Sequence, residues 1–306
     1  MENNKWRMLC EECKEINIIK EPDMGQYTSF KAGGRAALLV LPENQEELRR
    51  VLEYLSGEKL PYMILGNGSN LLVRDGGYEG AMLKLGEGFR KIEANPETGL
   101  LTAGANVSMS QVARAAIDAG LTGFEPLSGI PGTLGGALFM NAGAYDGEMS
   151  FVVREALVMD RNGGAPRIMP KEEMELSYRR SAFQESGDVI LQVTLQLIPG
   201  DSKEIEEKVM EYTRKRNEKQ PMNYPSAGSF FKRPEGYFAG KLITDAGLKG
   251  LKLGGAQVSS LHAGFLINTG NAKAEDILLL MKVVQRTVSD RFGIELEPEV
   301  RIIGKE

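Results

Sequence analysis

The sequence predicts an α+β protein built in three blocks, and three observations lead there. Apolar runs of strand length alternate with amphipathic stretches of helical period over the first two thirds of the chain. Two glycine-rich loops interrupt them, residues 65–75 (LGNGSNLLVRD) and residues 126–145 (PLSGIPGTLGGALFMNAGAY). After residues 199–202 (PGDS) the composition shifts to one helix followed by short, glycine-bounded strands.

Residues 36–42 (AALLVLP) read as a buried strand, and residues 43–56 as a helix with Leu48, Val51, Leu52 and Leu55 on one face. Residues 61–65 are the next strand, so the first 80 or so residues contain a βαβ unit that leads into the first glycine loop. The second block has strands near 81–85 and 100–105. A helix follows, opened by the capping box Ser108-x-x-Gln111 and stopped at Gly120. Residues 152–160 and the alternating run 189–197 are also strand-like. In the third block Asp201-x-x-Glu204 opens a helix carrying Ile205, Val209 and Tyr212, which ends before Pro221. Short strands at 255–260 and 264–269 precede a strong helix, 275–292, closed by Gly293.

A chain of 306 residues can bury large cores and favours two or three domains. Its formal net charge of −5 does not suggest a whole-surface nucleic-acid binder, and no apolar run reaches the roughly 18 residues of a membrane span. The start of the sequence, MENNKWRMLCEECKE, lacks the apolar core of a signal peptide, so a cytoplasmic location is expected. Cys10 and Cys13 form a lone C-x-x-C without a preceding strand, which reads as an inert helical pair. With His262 they are the only Cys and His residues, so no metal site is expected.

The first loop fails the dinucleotide fingerprint. Leu71 stands where the third glycine belongs, and a strand follows where a helix should start. The Walker pattern is missing too. What remains is a strand–loop–strand whose successive N–H groups, with the Ser69 hydroxyl and the Asn70 amide, could cup an anion; a wide hairpin is the plainer alternative, and the stretch alone does not choose. The second loop carries Gly129, Gly132, Gly135, Gly136 and Gly143, where backbone can pass close to a flat ligand or to other backbone. Its plainer reading is tight packing of a buried helix over 133–140. Two such segments beside apolar strands fit one extended ligand with a pyrophosphate and an aromatic ring. FAD matches that description, and a nucleotide sugar has similar needs.

Three further stretches could do chemistry. Residues 176–183 (LSYRRSAF) set two arginines among apolar residues. Residues 225–234 (PSAGSFFKRP) put a serine between a glycine and two aromatics. Residues 296–303 (LEPEVRII) embed Glu299 in a short apolar strand. Structural arginine–glutamate pairs and ordinary turns are the plainer accounts. Residues 214–221 (RKRNEKQP), with Lys232 and Arg233, supply cations suited to a diphosphate, or simply a solvated basic helix end.

GNGSNLLVRD, GIPGTLGG and NAGAY together resemble the FAD-binding module of the vanillyl-alcohol-oxidase/p-cresol-methylhydroxylase type. Their order and wording are similar, more specifically, to the UDP-N-acetylenolpyruvoylglucosamine reductase family of bacterial cell-wall precursor synthesis, and the likeness runs from about Tyr27 to Arg301. The resemblance implies a two-part FAD-binding module, residues 1–79 with 298–306 and residues 80–199, plus a third α+β substrate-binding domain at 200–297. It implies noncovalent FAD, NADPH as hydride donor, and UDP-N-acetylglucosamine enolpyruvate as the substrate reduced to UDP-N-acetylmuramate. A monomer that binds neither nucleic acid nor membrane is expected.

Position by position, the resemblance assigns catalysis to Arg179, Ser229 and Glu299. It assigns FAD contacts to Gly66, Asn67, Gly68, Ser69, Asn70 and Leu71 of the first loop. In the second loop it takes Ser128, Gly129, Ile130, Pro131, Gly132, Thr133, Gly135 and Gly136, followed by Asn141, Ala142 and Gly143; Arg216 and Arg301 complete the cofactor set. Tyr178, Lys219, Lys232, Arg233, Gln257 and His262 fall on the substrate side. One departure is visible. Some family members insert a long tyrosine-bearing segment after F-F-K-x-P, whereas residues 233–243 (RPEGYFAGKLI) run straight on, as in the shorter type; Arg233 also stands where other members carry Asn. Two competing readings are a flavin oxidase or dehydrogenase of the same superfamily, reduced by its own alcohol or sugar substrate, and a noncatalytic nucleotide-sugar binder without flavin.

Overall fold

The computed structural model describes residues 2–306. By internal contacts they divide into two units, each assembled from separated stretches. The first comprises the chain up to Lys20, Leu38–Gly66 and Gly80–Lys215; the second comprises Glu21–Ala37, Asn67–Glu79 and Arg216–Glu306.

Two larger sheets, with two short two-stranded ones, cover one continuous core in the first unit. One sheet has the order Asn17–Lys20, Ala36–Leu41, Tyr78–Leu83, Tyr62–Ile64. The expected βαβ unit is present, but its two strands are not neighbours. The Tyr78–Leu83 strand lies between them and pairs in parallel with Tyr62–Ile64. The sequence reading placed that strand in the second block; its apolar run explains the difference. Ala81, Met82 and Leu83 are each 0% exposed, and a strand buried on both faces belongs at a sheet's centre. The Gln45–Gly57 helix forms as its period requires. Asn44 accepts the Glu47 N–H as N-cap, and Leu48, Val51, Leu52 and Leu55 are all buried.

The second sheet is antiparallel throughout, in the order Arg167–Pro170, Val153–Met159, Val189–Gln196, Leu100–Gly104, Ile92–Asn95. The Met109–Asp118 helix has the expected capping box of Ser108 and Gln111, and Gly120 follows it at φ +61°. The strands that sequence reasoning missed, Asn17–Lys20, Ile92–Asn95 and Arg167–Pro170, are short and half or fully exposed along most of their length, so they carry no clear hydrophobic period.

In the second unit, Leu71–Val73 pairs in parallel with Arg301–Ile303. A three-stranded antiparallel sheet of Lys252–Leu253, Ala256–Val258 and Leu266–Asn268 packs against the Ala274–Phe292 helix. That helix buries Ile277, Leu280, Met281, Val284 and Val288, and ends at Gly293, φ +68°. The core of this unit gathers Phe30, Leu72, Phe230, Phe231, Leu266 and Leu296. The strand expected over 296–303 shortens to Arg301–Ile303, which leaves Glu299 just ahead of it. Over that stretch only an isolated bridge, Phe231 to Pro298, forms. The Ser202–Lys219 helix, capped by the Asp201 carboxylate on the Lys203 and Glu204 N–H groups, runs from the first unit into the second between Lys215 and Arg216.

Candidate active site

The first glycine loop shows what approaches its backbone so closely: partly the chain itself. A Cβ on Gly68, whose φ is +62°, would lie 2.2 Å from the Tyr27 carbonyl oxygen, and one on Gly66 would lie 2.7 Å from Thr133 Oγ1. Lys84, which sequence reasoning passed over, donates from Nζ to the Gly66 carbonyl at 2.9 Å. Burial, helped by the charge of Arg90, lowers the pKa of this ammonium. Its sequence signal was a lone charge inside the apolar run AMLKL.

The N–H groups of Asn67, Gly68, Ser69 and Asn70 reach no acceptor among the described residues, and Gly68 is itself buried. A buried N–H group is seldom left unpaired, which singles out Gly68; with the half-buried Ser69 and Asn70 and the exposed Asn67 beside it, the run could donate to the oxygens of a pyrophosphate. The residues present therefore suit FAD. Asn70 is tied to the chain's far end: its side-chain amide donates to the Glu299 carbonyl at 3.1 Å, and its backbone carbonyl accepts from the Arg301 N–H at 3.1 Å. Leu71 is buried beside Arg301 in the parallel pair.

The second loop is largely satisfied by its own fold. Ile130 donates to Leu127, Gly132 to Ile130, Gly135 to Ala105 and Gly136 to Thr133 Oγ1. Thr133 caps the short Leu134–Phe139 helix, and a Cβ on Gly135 would sit 2.7 Å from that of Ala105. Ser128 is buried, its hydroxyl on the Glu125 carbonyl; Pro131 is exposed. The tight-packing account thus explains Gly135.

The segment after that helix leads to Arg179. Ser177 and Arg180 exchange both backbone hydrogen bonds, at 3.1 and 3.0 Å, which makes Tyr178 and Arg179 the tip of a two-residue hairpin. Arg179 adopts the left-handed conformation, φ +56°, its guanidinium 4.9 Å from the Tyr178 ring centroid and 3.3 Å from the Gly143 carbonyl oxygen. Ala142, just before, donates to the Ala137 carbonyl and accepts from the Met149 N–H.

Ser229 and Glu299 belong to the second unit, whose chain brings them onto neighbouring segments. Lys232 N–H donates to the Glu297 carbonyl and Glu299 N–H to that of Phe230, each at 2.8 Å, around the Phe231–Pro298 bridge. Residues 229–232 and 297–300 therefore run antiparallel, with Phe230 opposite Glu299 and Ser229 next along. Gly228, before the serine, has φ +75° and open space on its Cβ side. Arg301 is half-buried, and burial lowers its pKa.

Of the residues expected to meet the substrate, Lys232 is ion-paired with Glu297. Arg233 stacks 4.0 Å over the ring of exposed Phe238. Gln257 donates to the Gly250 carbonyl at 3.1 Å. His262 accepts the Gly264 N–H on Nδ1 at 3.1 Å and meets Phe265 edge to face. Burial, with Lys249 in the same sense, lowers the His262 pKa. Arg216 and Lys219 lie on the last turn of the Ser202–Lys219 helix.

Asp75, which closes the GNGSNLLVRD motif, was given no task in the sequence reading. Its carboxylate accepts the Ala274 and Glu275 N–H groups at 3.0 and 2.8 Å, and so caps the Ala274–Phe292 helix from a distant part of the chain. The signal available was Lys273, which cannot serve as an accepting N-cap.

The chain is similar to known proteins over nearly its whole length. Residues 36–167 match the family profile "FAD binding domain", and residues 220–303 match "UDP-N-acetylenolpyruvoylglucosamine reductase, C-terminal domain". The chain is 46% identical over 302 residues to a UDP-N-acetylenolpyruvoylglucosamine reductase of Clostridium perfringens, covering 98% of each chain. It is 48% identical over 299 residues to that of Clostridium tetani, covering 97% of this chain and 96% of the other. The crystal structure of the Thermus caldophilus UDP-N-acetylenolpyruvylglucosamine reductase superposes with a TM-score of 0.80 at 35% identity, covering 94% of this chain and 99% of that one. Full-length similarity at this level places the chain in the UDP-N-acetylenolpyruvoylglucosamine reductase family.

Proposed function

We propose that Arg179, Ser229 and Glu299 carry the family's reaction in this chain, the NADPH-dependent reduction of the enolpyruvyl group of UDP-N-acetylglucosamine enolpyruvate to UDP-N-acetylmuramate in peptidoglycan precursor synthesis. The observation that supports the assignment is the antiparallel register of residues 229–232 and 297–300, which brings the backbones of Ser229 and Glu299 onto neighbouring segments, the second anchored by Asn70 of the first glycine loop.

FAD, which the two glycine loops with Arg216 and Arg301 would hold, would supply hydride chemistry at the terminal carbon of the enolpyruvyl double bond after reduction by NADPH. The rest falls to the chain. Negative charge passes to the adjacent carbon and its carboxylate as the hydride arrives, and the Arg179 guanidinium stabilises it there. Glu299 orients the same region. Ser229 then gives its proton to that adjacent carbon, and its oxygen is reprotonated from an ordered water or neighbouring cation. Tyr178, Lys219, Lys232, Arg233, Gln257 and His262 are the residues offered to the sugar nucleotide, with Arg216 and Arg301 on the cofactor side.

The division into a two-part FAD module and a substrate domain at 200–297 belongs to this reading, as do a monomeric state and a cytoplasmic location. No helix among the described residues is long and apolar enough to cross a membrane.

Ser229→Ala tests the assignment. Flavin reduction by NADPH should stay near its normal rate, while reoxidation by the enolpyruvyl substrate should fall by roughly 10²–10⁴-fold, the usual worth of a positioned proton donor. Stopped-flow absorbance separates the two half-reactions; equal losses in both would remove Ser229 from the proton transfer.

A further inference from the structure

We infer that Asn141 is a positioning residue for Arg179 rather than a flavin contact, an inference that rests on Arg179 acting in the reaction. Asn141 is 0% exposed and sits in the left-handed region, φ +40°, a conformation that asparagine tolerates better than most residues. Every hydrogen on its side chain is already engaged. Nδ2 donates to the Ser177 carbonyl at 2.9 Å and to Glu148 Oε1 at 3.3 Å, while Oδ1 accepts the Ser150 N–H at 2.9 Å. Its backbone N–H donates to Leu138. A side chain so occupied has no donor left for a cofactor.

The Ser177 carbonyl is the informative partner, because Ser177 is the root of the hairpin whose tip is Arg179. The opposite limb is held by the same stretch of chain. Ser181 Oγ donates to the Phe139 carbonyl at 2.6 Å, and Gln184 Nε2 donates to both the Phe139 and Arg179 carbonyls, at 3.0 and 3.1 Å. The tip itself touches down on the Gly143 carbonyl through the guanidinium. Residues 139–143 thus grip the hairpin at both limbs and at its tip. Asn141 is the buried part of the grip, and the Glu148 carboxylate, which also takes the Ser150 hydroxyl, fixes which way its amide points. The backbone that carries the Arg179 side chain is therefore held on both limbs by this scaffold.

The test uses Asn141→Asp in the holoenzyme. Aspartate keeps the shape, tolerates the left-handed backbone and still accepts from Ser150, but cannot donate to Ser177. Asn141→Asp combined with Glu148→Gln removes the carboxylate–carboxylate repulsion and is the companion variant should the single one fold poorly. We expect flavin reoxidation by the enolpyruvyl substrate to slow by about tenfold to 100-fold, the scale of a small misplacement of a catalytic group, with FAD affinity and flavin reduction unchanged. In an Arg179→Ala background the same substitution should cost nothing further, because both changes remove one interaction.

Weakened FAD binding with normal reoxidation at saturating FAD would overturn the inference and make Asn141 a flavin contact. Normal reoxidation with normal FAD binding would reduce it to a cap for Ser150. Losses that multiply in the double variant would show that Asn141 acts independently of Arg179. If Arg179→Ala alone leaves reoxidation unchanged, the catalytic reading of Arg179 fails first and the positioning role falls with it.

Discussion

His262, the one histidine of the chain, gives a clean residue-scale prediction. Burial holds its folded-state pKa below the ordinary value of 6.5, so the unfolded chain binds the proton more readily. Stability is therefore complete above about pH 6.5 and declines as the pH falls from there toward the lower folded-state pKa. Thermal melting across that window should show the decline in the parent protein and a flatter profile in His262→Gln. Parallel profiles would mean that the imidazole stays in contact with water on folding. Lys84 is the corresponding cation beside the first glycine loop, half-buried and with its ammonium on Gly66.

At the scale of elements, Asp75 shows how a motif residue can serve a helix it does not belong to. Two N–H groups at the start of the Ala274–Phe292 helix depend on its carboxylate. Replacing it with alanine should destabilise the protein by about 1–2 kcal/mol, in the range of a lost N-cap, and Asp75→Asn should cost less because one oxygen acceptor survives. Chemical denaturation checks this; an Asp75→Ala variant as stable as the parent would leave that helix to the Asp276 interactions alone. Elements of this length were legible in the sequence because their signals are local. The capping box Ser108–Gln111, the stop at Gly293 and the apolar stripe from Ile277 to Val288 all lie within a few turns of one another. What could not be read depends on partners remote in sequence. The Tyr78–Leu83 strand found its neighbours in the first sheet, Asp75 found a helix far along the chain, and Asn141 found Ser177. Glu299 falls just outside its expected strand, with its N–H on the Phe230 carbonyl beside the isolated Phe231–Pro298 bridge. The motifs of the candidate site were legible by resemblance, but the sequence was silent on how the glycine loops divide their work. In the structure the first leaves a row of N–H groups unpaired and the second spends most of its own.

At the scale of the whole molecule, the two units differ in how their segments are ordered along the chain. Every segment of the first is available once Lys215 has been made, whereas the second needs Glu21–Ala37 and Asn67–Glu79 to meet residues beyond Arg216. The parallel pairing of Leu71–Val73 with Arg301–Ile303 sets the latest requirement. On the ribosome, then, the units should mature in sequence. Nascent chains stalled with residue 215 outside the exit tunnel should resist protease over the first unit but be cut within 67–79, and protection of 67–79 should arrive only after residue 303 emerges. Protection of 67–79 in the shorter chains would refute that order. Phe30 and Leu72, destined for the core of the second unit, are made early and must wait for most of the remaining synthesis before anything covers them. The cell meets this protein first as a half-finished chain with greasy side chains in the open, so its yield should track the supply of holding chaperones more closely than the stability of the finished fold.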